Sequence, residues 1–92
     1  MGAMFSFCSY LTTIPLLDTS NVTNMADMFY HTYNLTDTSL DNILQMCINA
    51  SVYTGTKKLS TLGLTSTNYP ASRIQALTHY QDFINAGWTI GY

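Results

Sequence analysis

Charged side chains are scarce in this chain. Only 9% of its 92 residues are Asp, Glu, Lys or Arg, against about a quarter in an average globular protein. All five acidic residues are Asp, and the three basic ones, Lys57, Lys58 and Arg73, leave a formal net charge of −2. A protein that neutralises a phosphate backbone needs a basic stripe on its surface, which this composition lacks. The composition therefore argues against nucleic-acid binding.

Long apolar runs are also missing. No run approaches the roughly 18 residues that a membrane-spanning helix requires, and the first residues lack the basic segment and apolar core of a signal peptide. We therefore predict no membrane insertion of this fragment. The opening Met1-Gly2-Ala3 is interpreted as a cloning scar, so that any signal peptide, lipid anchor or further repeats would lie upstream in a longer protein.

Cysteine and histidine are too few to form a site by themselves. Cys8 and Cys47 belong to no Cys-x-x-Cys motif, and we expect each to act as a small buried hydrophobic residue rather than half of a disulfide. His31 and His79 have no second ligand four residues away, so no zinc site is predicted. No Gly-x-Ser-x-Gly or Cys-His signature is present, and the aspartates are interpreted as helix caps and solvated loop groups. We predict no enzymatic activity, no cofactor and no metal.

What the chain does contain is an internal repeat. Residues 4–16 align without gaps on residues 28–40, and Met, Phe, Leu, Thr and Leu recur at an offset of 24. A period in the twenties with apolar residues at fixed offsets is typical of leucine-rich-repeat solenoids, in which each unit stacks on its neighbour. The visible array is short, and it stops after Leu40.

The segment from Leu11 to Phe29 resembles the repeats of BspA-like leucine-rich-repeat surface proteins, a repeat type found in mycoplasma-type lipoproteins and in Firmicutes surface and prophage proteins. It matches the phrase Leu-x-x-Ile-Pro-Leu-Leu-Asp-Thr-Ser-Asn-Val-Thr-Asn-Met-x-x-Met-Phe nearly letter for letter. Thr32 departs from the usual Cys of that family, and the tail over residues 80–92 resembles the end of many such proteins. Three residues match the end of the preceding unit: Met4, Phe5 and Cys8. The resemblance implies a location on the cell surface, outside the cell or on a virion, and a role in display or recognition.

The hydrophobic spacing predicts an α/β fold, a leucine-rich-repeat-like solenoid fragment with a helical C-terminal cap. We expect short strands at Leu11 to Ile14 and at Leu35 to Asp37, and a helix between them from about Asn21 to His31. A second helix is predicted from about Leu40 to Ala50.

The rest of the chain contains further boundary signals. Thr56 is expected to cap a short helix through Leu62 that Gly63 ends in a left-handed turn, with a strand over residues 58–62 as the alternative. Pro70 suits the first position of another helix. A last helix, capped by Thr78 and stopped by Gly87, and a closing strand over Trp88, Ile90 and Tyr92 complete the predicted elements.

These signals divide the chain into residues 1–3 as the scar, 4–40 as leucine-rich-repeat-like units and 41–92 as the C-terminal capping region. Without a preceding repeat, the apolar side chains of the first unit would face solvent. We therefore predict a homodimer through this N-terminal edge, formed by Met4, Phe5, Phe7 and Leu11.

Seven tyrosines are the most suggestive feature for binding, because Tyr provides a large contact area at low entropic cost. Four lie at or near repeat ends and loops and are predicted to bind a host protein or glycan: Tyr10, Tyr30, Tyr33 and Tyr53. The alternative is that they are boundary residues with half-buried rings. The sequence thus predicts a non-enzymatic recognition module, or alternatively a purely structural capping or self-assembly element with no ligand of its own.

Overall fold

Helix α1, Asp37–Asn49, is the longest element in the part of the chain that the structure describes, residues 10–92 of a computed structural model. The hydroxyl of Thr36 caps it by accepting a hydrogen bond from the Ser39 N–H at 3.2 Å, and Asp37 in the first turn favours the positive end of the helix dipole. The predicted second helix is confirmed. It begins three residues before Leu40 because Thr36, rather than a later residue, is the cap.

Three shorter helices follow: a 3₁₀ helix at Leu59–Leu62, α2 at Ala71–Gln75 and α3 at Tyr80–Asn85. Gly63 ends the 3₁₀ helix in a left-handed turn with φ +94°, as predicted, whereas the predicted Thr56 cap is wrong because Lys58 holds that position. Pro70 occupies the cap position directly before α2, and Gly87, at φ +93°, follows α3. The predicted cap of α3 is wrong, because His79 rather than Thr78 holds that position.

The predicted α/β leucine-rich-repeat solenoid is wrong. The described residues are 34% helix and 2% strand and contain no sheet. The offset of 24 is visible as one hydrogen bond, in which the Thr36 N–H donates to the Thr12 carbonyl at 3.0 Å. Within residues 10–92 no ladder continues from this bond, because side chains of α1 bond the polar groups of Ile14. The Ile14 N–H donates to the Ser39 hydroxyl and the Ile14 carbonyl accepts from the Asn42 amide, both at 2.9 Å.

The helix predicted from Asn21 to His31 is replaced by turns. Instead of bonding within a helix, the N–H groups of Asp27 and Phe29 donate to the carbonyls of Thr61 and Leu62 at 2.9 and 2.8 Å. Asp27 and His31 also adopt positive φ angles of 55° and 62°, which a right-handed helix does not allow. Three residues on the apolar face of the predicted helix are nevertheless fully buried: Met25, Met28 and Phe29.

The strand predicted at the C-terminus is reduced to one parallel bridge between Lys58 and Thr89. Thr89 donates its N–H to the Lys57 carbonyl and accepts from the Leu59 N–H, both at 3.0 Å. This bridge places Trp88 in the core, where its ring stacks on Tyr53 with 4.9 Å between the ring centroids. The single described pairing therefore anchors the end of the chain without building a sheet.

One hydrophobic core joins the early turns to the helices. Helix α1 packs against α2 and α3. The buried hydroxyl of Thr19 donates to the Met46 carbonyl of α1 at 2.6 Å, which holds the segment around Thr19 against that helix. Cys47 is buried and forms no disulfide, and burial raises the pKa of its thiol. Cys8 lies outside the described residues.

Within residues 10–92, no helix has both the length and the apolar character needed to cross a membrane.

Candidate recognition surface

The four tyrosines predicted to bind a partner occupy different environments. Tyr10 is 95% exposed, and Tyr30 and Tyr33 are 42% and 41% exposed. Tyr53 is only 7% exposed, and its hydroxyl donates to the Thr56 carbonyl at 3.0 Å. Since the ring of Tyr53 stacks on a core tryptophan, its role in this structure is packing, and burial raises its pKa.

Tyr30 and Tyr33 are brought together by the histidine between them. The ring of His31 lies 4.0 Å from that of Tyr30 and 5.4 Å from that of Tyr33, centroid to centroid, and both pairs meet edge to face. Edge-to-face contact suits the opposite charges of ring edge and ring face. We call these three residues the aromatic turn. The positive φ of His31 bends the backbone between the two tyrosines.

The backbone on both sides of the aromatic turn is held firmly. Before it, Phe29 is fully buried and bonded to Leu62. Within it, the buried hydroxyl of Thr32 donates to the Phe29 carbonyl at 2.6 Å. After it, the Tyr69 hydroxyl donates to the Thr32 carbonyl at 2.5 Å and accepts from the Leu35 N–H at 3.1 Å. The tyrosines therefore stand on a fixed support rather than on a loose loop.

Gly63 packs closely against the backbone of the aromatic turn. A Cβ atom on Gly63 would lie 2.7 Å from both the Cα and the N of Tyr30, closer than real atoms pack. The left-handed end of the 3₁₀ helix thus lies directly against the backbone of Tyr30. Only glycine satisfies both the positive φ and this contact.

A second feature is a cleft of about 330 Å³ between the start of α1 and the connection from α2 to α3. At its edge, Arg73 donates from Nε to Oδ1 of Asp37 at 2.6 Å. Arg73 also donates from Nη2 to the Leu35 carbonyl at 2.7 Å and lies over the Tyr69 ring at 5.4 Å. These contacts fix the guanidinium group in one position.

Asp41, four residues after Asp37 on the same face of α1, binds His79 through both carboxylate oxygens. Its Oδ1 accepts from the His79 N–H at 2.9 Å, and its Oδ2 lies 2.6 Å from His79 Nδ1. The amide nitrogen of Gln45 lies 2.8 Å from His79 Nε2. With the proton on Nδ1, the ring donates to Asp41 and accepts from Gln45, so both ring nitrogens are engaged. The pair joins α1 to α3, and in this tautomer neither ring nitrogen of His79 has a free lone pair.

In the region covered by residues 10–92, no three His, Cys, Asp or Glu side chains cluster closely enough to hold a metal ion. The pairs Asp37–Arg73 and Asp41–His79 were not predicted from the sequence. Their members lie 36 and 38 residues apart, and no short motif signals such a distance. The predicted self-association edge is mostly outside the described residues. Its one described member, Leu11, is partly buried against the core.

No family model, curated protein or solved structure matches this chain. The resemblance to BspA-like surface proteins therefore stays a prediction from the sequence, and so does the division into residues 4–40 and 41–92.

Proposed function

We propose that this chain is a non-enzymatic recognition module of a bacterial surface or phage protein, and that it binds a protein or glycan through the aromatic turn. The observation that carries the proposal is the pair of half-exposed tyrosines held on either side of His31 by edge-to-face contacts. A surface or virion location follows from the resemblance and is part of the proposal.

The physical basis is preorganisation. Tyr has only two side-chain torsions, so fixing it against a partner costs little entropy, while its ring and hydroxyl supply apolar and polar contact together. Here the backbone beneath the rings is already fixed by Phe29, Thr32 and Gly63. Less ordering therefore remains to be done when a partner binds.

Catalysis is not part of the proposal because His79, which follows the cleft residue Thr78 in the chain, is hydrogen-bonded at both ring nitrogens. His79 has a partner at each ring nitrogen, and both oxygens of Asp41 are bonded. A histidine that acts as a general base needs a nitrogen lone pair within reach of a substrate proton, and the ring of His79 connects two helices instead.

Binding to a glycan array and to candidate surface proteins tests the proposal. We expect the double variant Tyr30→Ala, Tyr33→Ala to lose the binding of the unmodified protein. Tyr92→Ala is the matched control, because Tyr92 is exposed to a similar extent, 44%, and is not part of the aromatic turn. Circular dichroism establishes that all three proteins are folded.

Equal loss in the control and the double variant would contradict the assignment to the aromatic turn. Absence of any binding by the unmodified protein would overturn the recognition function and leave the structural capping or self-assembly element as the interpretation. Light scattering then measures whether the protein forms the predicted homodimer.

A further inference from the structure

The cleft between α1 and the α2–α3 connection contains polar groups that no internal role accounts for. Its lining combines one carboxylate–guanidinium pair, a second carboxylate, two hydroxyls and an apolar side, contributed by Asp37, Thr38, Asp41, Arg73, Ala76, Leu77 and Thr78. Among residues 10–92, no side chain or backbone group bonds to the hydroxyl of Thr38 or of Thr78. Both residues are exposed, so water solvates these hydroxyls when the cleft is empty of ligand.

We propose that this cleft binds a neutral, polyhydroxylated ring: a monosaccharide, either free or at the end of a glycan. This site is separate from the aromatic turn, and the proposal holds whether or not the aromatic turn binds a partner.

The size of the cleft favours a small ligand. Ligand sites in proteins usually have volumes of about 300–1,000 Å³, and the 330 Å³ of this cleft is at the lower end of that range. A single sugar ring fits such a volume, whereas a folded peptide segment does not.

The charges favour a neutral ligand. Asp37 already holds the guanidinium of Arg73 at 2.6 Å, and Asp41 holds His79 through both oxygens. A cationic ligand at Asp37 would lie next to the positive guanidinium of Arg73, and an anion that approaches Arg73 would meet two carboxylates. A hydroxyl group avoids both costs, because it donates to the carboxylate and accepts from the guanidinium at once.

The arrangement of polar and apolar groups favours a ring with hydroxyls at its edge. Asp37 and Arg73 supply an acceptor and donors side by side, and the threonine hydroxyls can do either. Ala76 and Leu77 give the cleft its apolar side, which suits the C–H face of a sugar. Arg73 is also held in place by the Leu35 carbonyl and the Tyr69 ring, so binding need not order it.

Amide NMR titration of the ¹⁵N-labelled protein tests the inference. The probes are glucose, galactose and N-acetylglucosamine, the methyl glycosides of the same sugars, and methylamine and inorganic phosphate as charged probes. We expect saturable shifts of the Thr38 and Thr78 amides with at least one neutral sugar at millimolar concentration. The methyl glycosides distinguish the two sources, since a site for glycan ends accepts them and a site that needs the free anomeric hydroxyl does not.

Thr78→Val removes one hydroxyl at nearly constant shape and should weaken binding about two- to tenfold, the cost of one neutral hydrogen bond. Thr67→Val is the matched control, because Thr67 is also exposed but does not line the cleft. The Tyr30→Ala, Tyr33→Ala variant should retain the sugar-induced shifts, which separates this site from the aromatic turn. The inference is overturned if no sugar gives saturable shifts at the cleft, if only methylamine or phosphate does, or if Thr78→Val binds as tightly as Thr67→Val.

Discussion

Replacing Gly63 by alanine tests how the 3₁₀ helix supports the aromatic turn, and Gly87 supplies a matched control. Both glycines have nearly the same left-handed conformation, with φ of +94° and +93°. A Cβ on Gly63 would lie 2.7 Å from two backbone atoms of Tyr30, whereas one on Gly87 would lie 3.9 Å from the nearest atom of Lys57. The two positions therefore share the conformational strain and differ in the clash.

The expected losses in the free energy of unfolding follow from this conformational strain and this clash. Placing alanine in the left-handed region costs about 1–2 kcal/mol, and this is the whole effect expected for Gly87→Ala. Gly63→Ala adds overpacking against backbone that cannot rotate away, which costs about 1–3 kcal/mol more. We expect Gly63→Ala to lower the free energy of unfolding by about 2–5 kcal/mol, a large share of the roughly 5–14 kcal/mol that a chain of this length has.

Urea unfolding followed by tryptophan fluorescence measures both variants, since the chain has a single tryptophan and Trp88 is buried. Gly63→Ala should also weaken any binding at the aromatic turn, because relief of the clash moves the backbone of Tyr30. Gly87→Ala should leave that binding unchanged. If the two variants lose the same free energy of unfolding, the close approach of Gly63 to Tyr30 does not stabilise the fold and the argument for a preorganised turn fails.

Three further outcomes are expected. Thr36→Ala removes the cap of α1 and should cost about 1 kcal/mol in urea unfolding, whereas Thr67→Ala, at an exposed loop position, should change the free energy of unfolding far less. Trp88→Ala should lower the free energy of unfolding by about 3–5 kcal/mol, because the ring is 1% exposed and stacks on Tyr53. A loss below about 1 kcal/mol, measured by circular dichroism, would show that the end of the chain is not part of the core. Burial raises the pKa of Tyr92 to about 12 from an ordinary value of 10. Between these pH values the folded state keeps the phenol proton and the unfolded state loses it. The free energy of unfolding should therefore fall as the pH rises from about 10 through 12. Tyr92→Phe should reduce that alkaline loss, and an unchanged pH profile would show that the phenol is not desolvated.

The sequence by itself determined which apolar side chains of α1 and of the turns before it are buried, and it marked the ends of two later helices. Helical spacing from Leu40 to Cys47 predicted α1, since its apolar face has one clear orientation. Gly63 and Gly87 marked left-handed ends because other residues rarely adopt that conformation. For the candidate site, the surface bias of tyrosine near loops identified Tyr30 and Tyr33, but it also selected Tyr53, whose ring is in the core.

Only the tertiary structure decided the backbone conformation of residues 10–36 and which residues line the cleft. A solenoid and a set of turns packed on a helix would both bury the apolar side chains of the repeat. Hydrophobic periodicity indicates which side chains are buried, but not which groups the backbone bonds to. Here Ser39 and Asn42 of α1 bond the polar groups of Ile14 that a neighbouring strand would need, and Thr61 and Leu62 accept the N–H groups of the predicted first helix. The pairs that shape the cleft, Asp37–Arg73 and Asp41–His79, join residues 36 and 38 positions apart. Such contacts depend on how α1, α2 and α3 pack, and no local signal in the sequence encodes them.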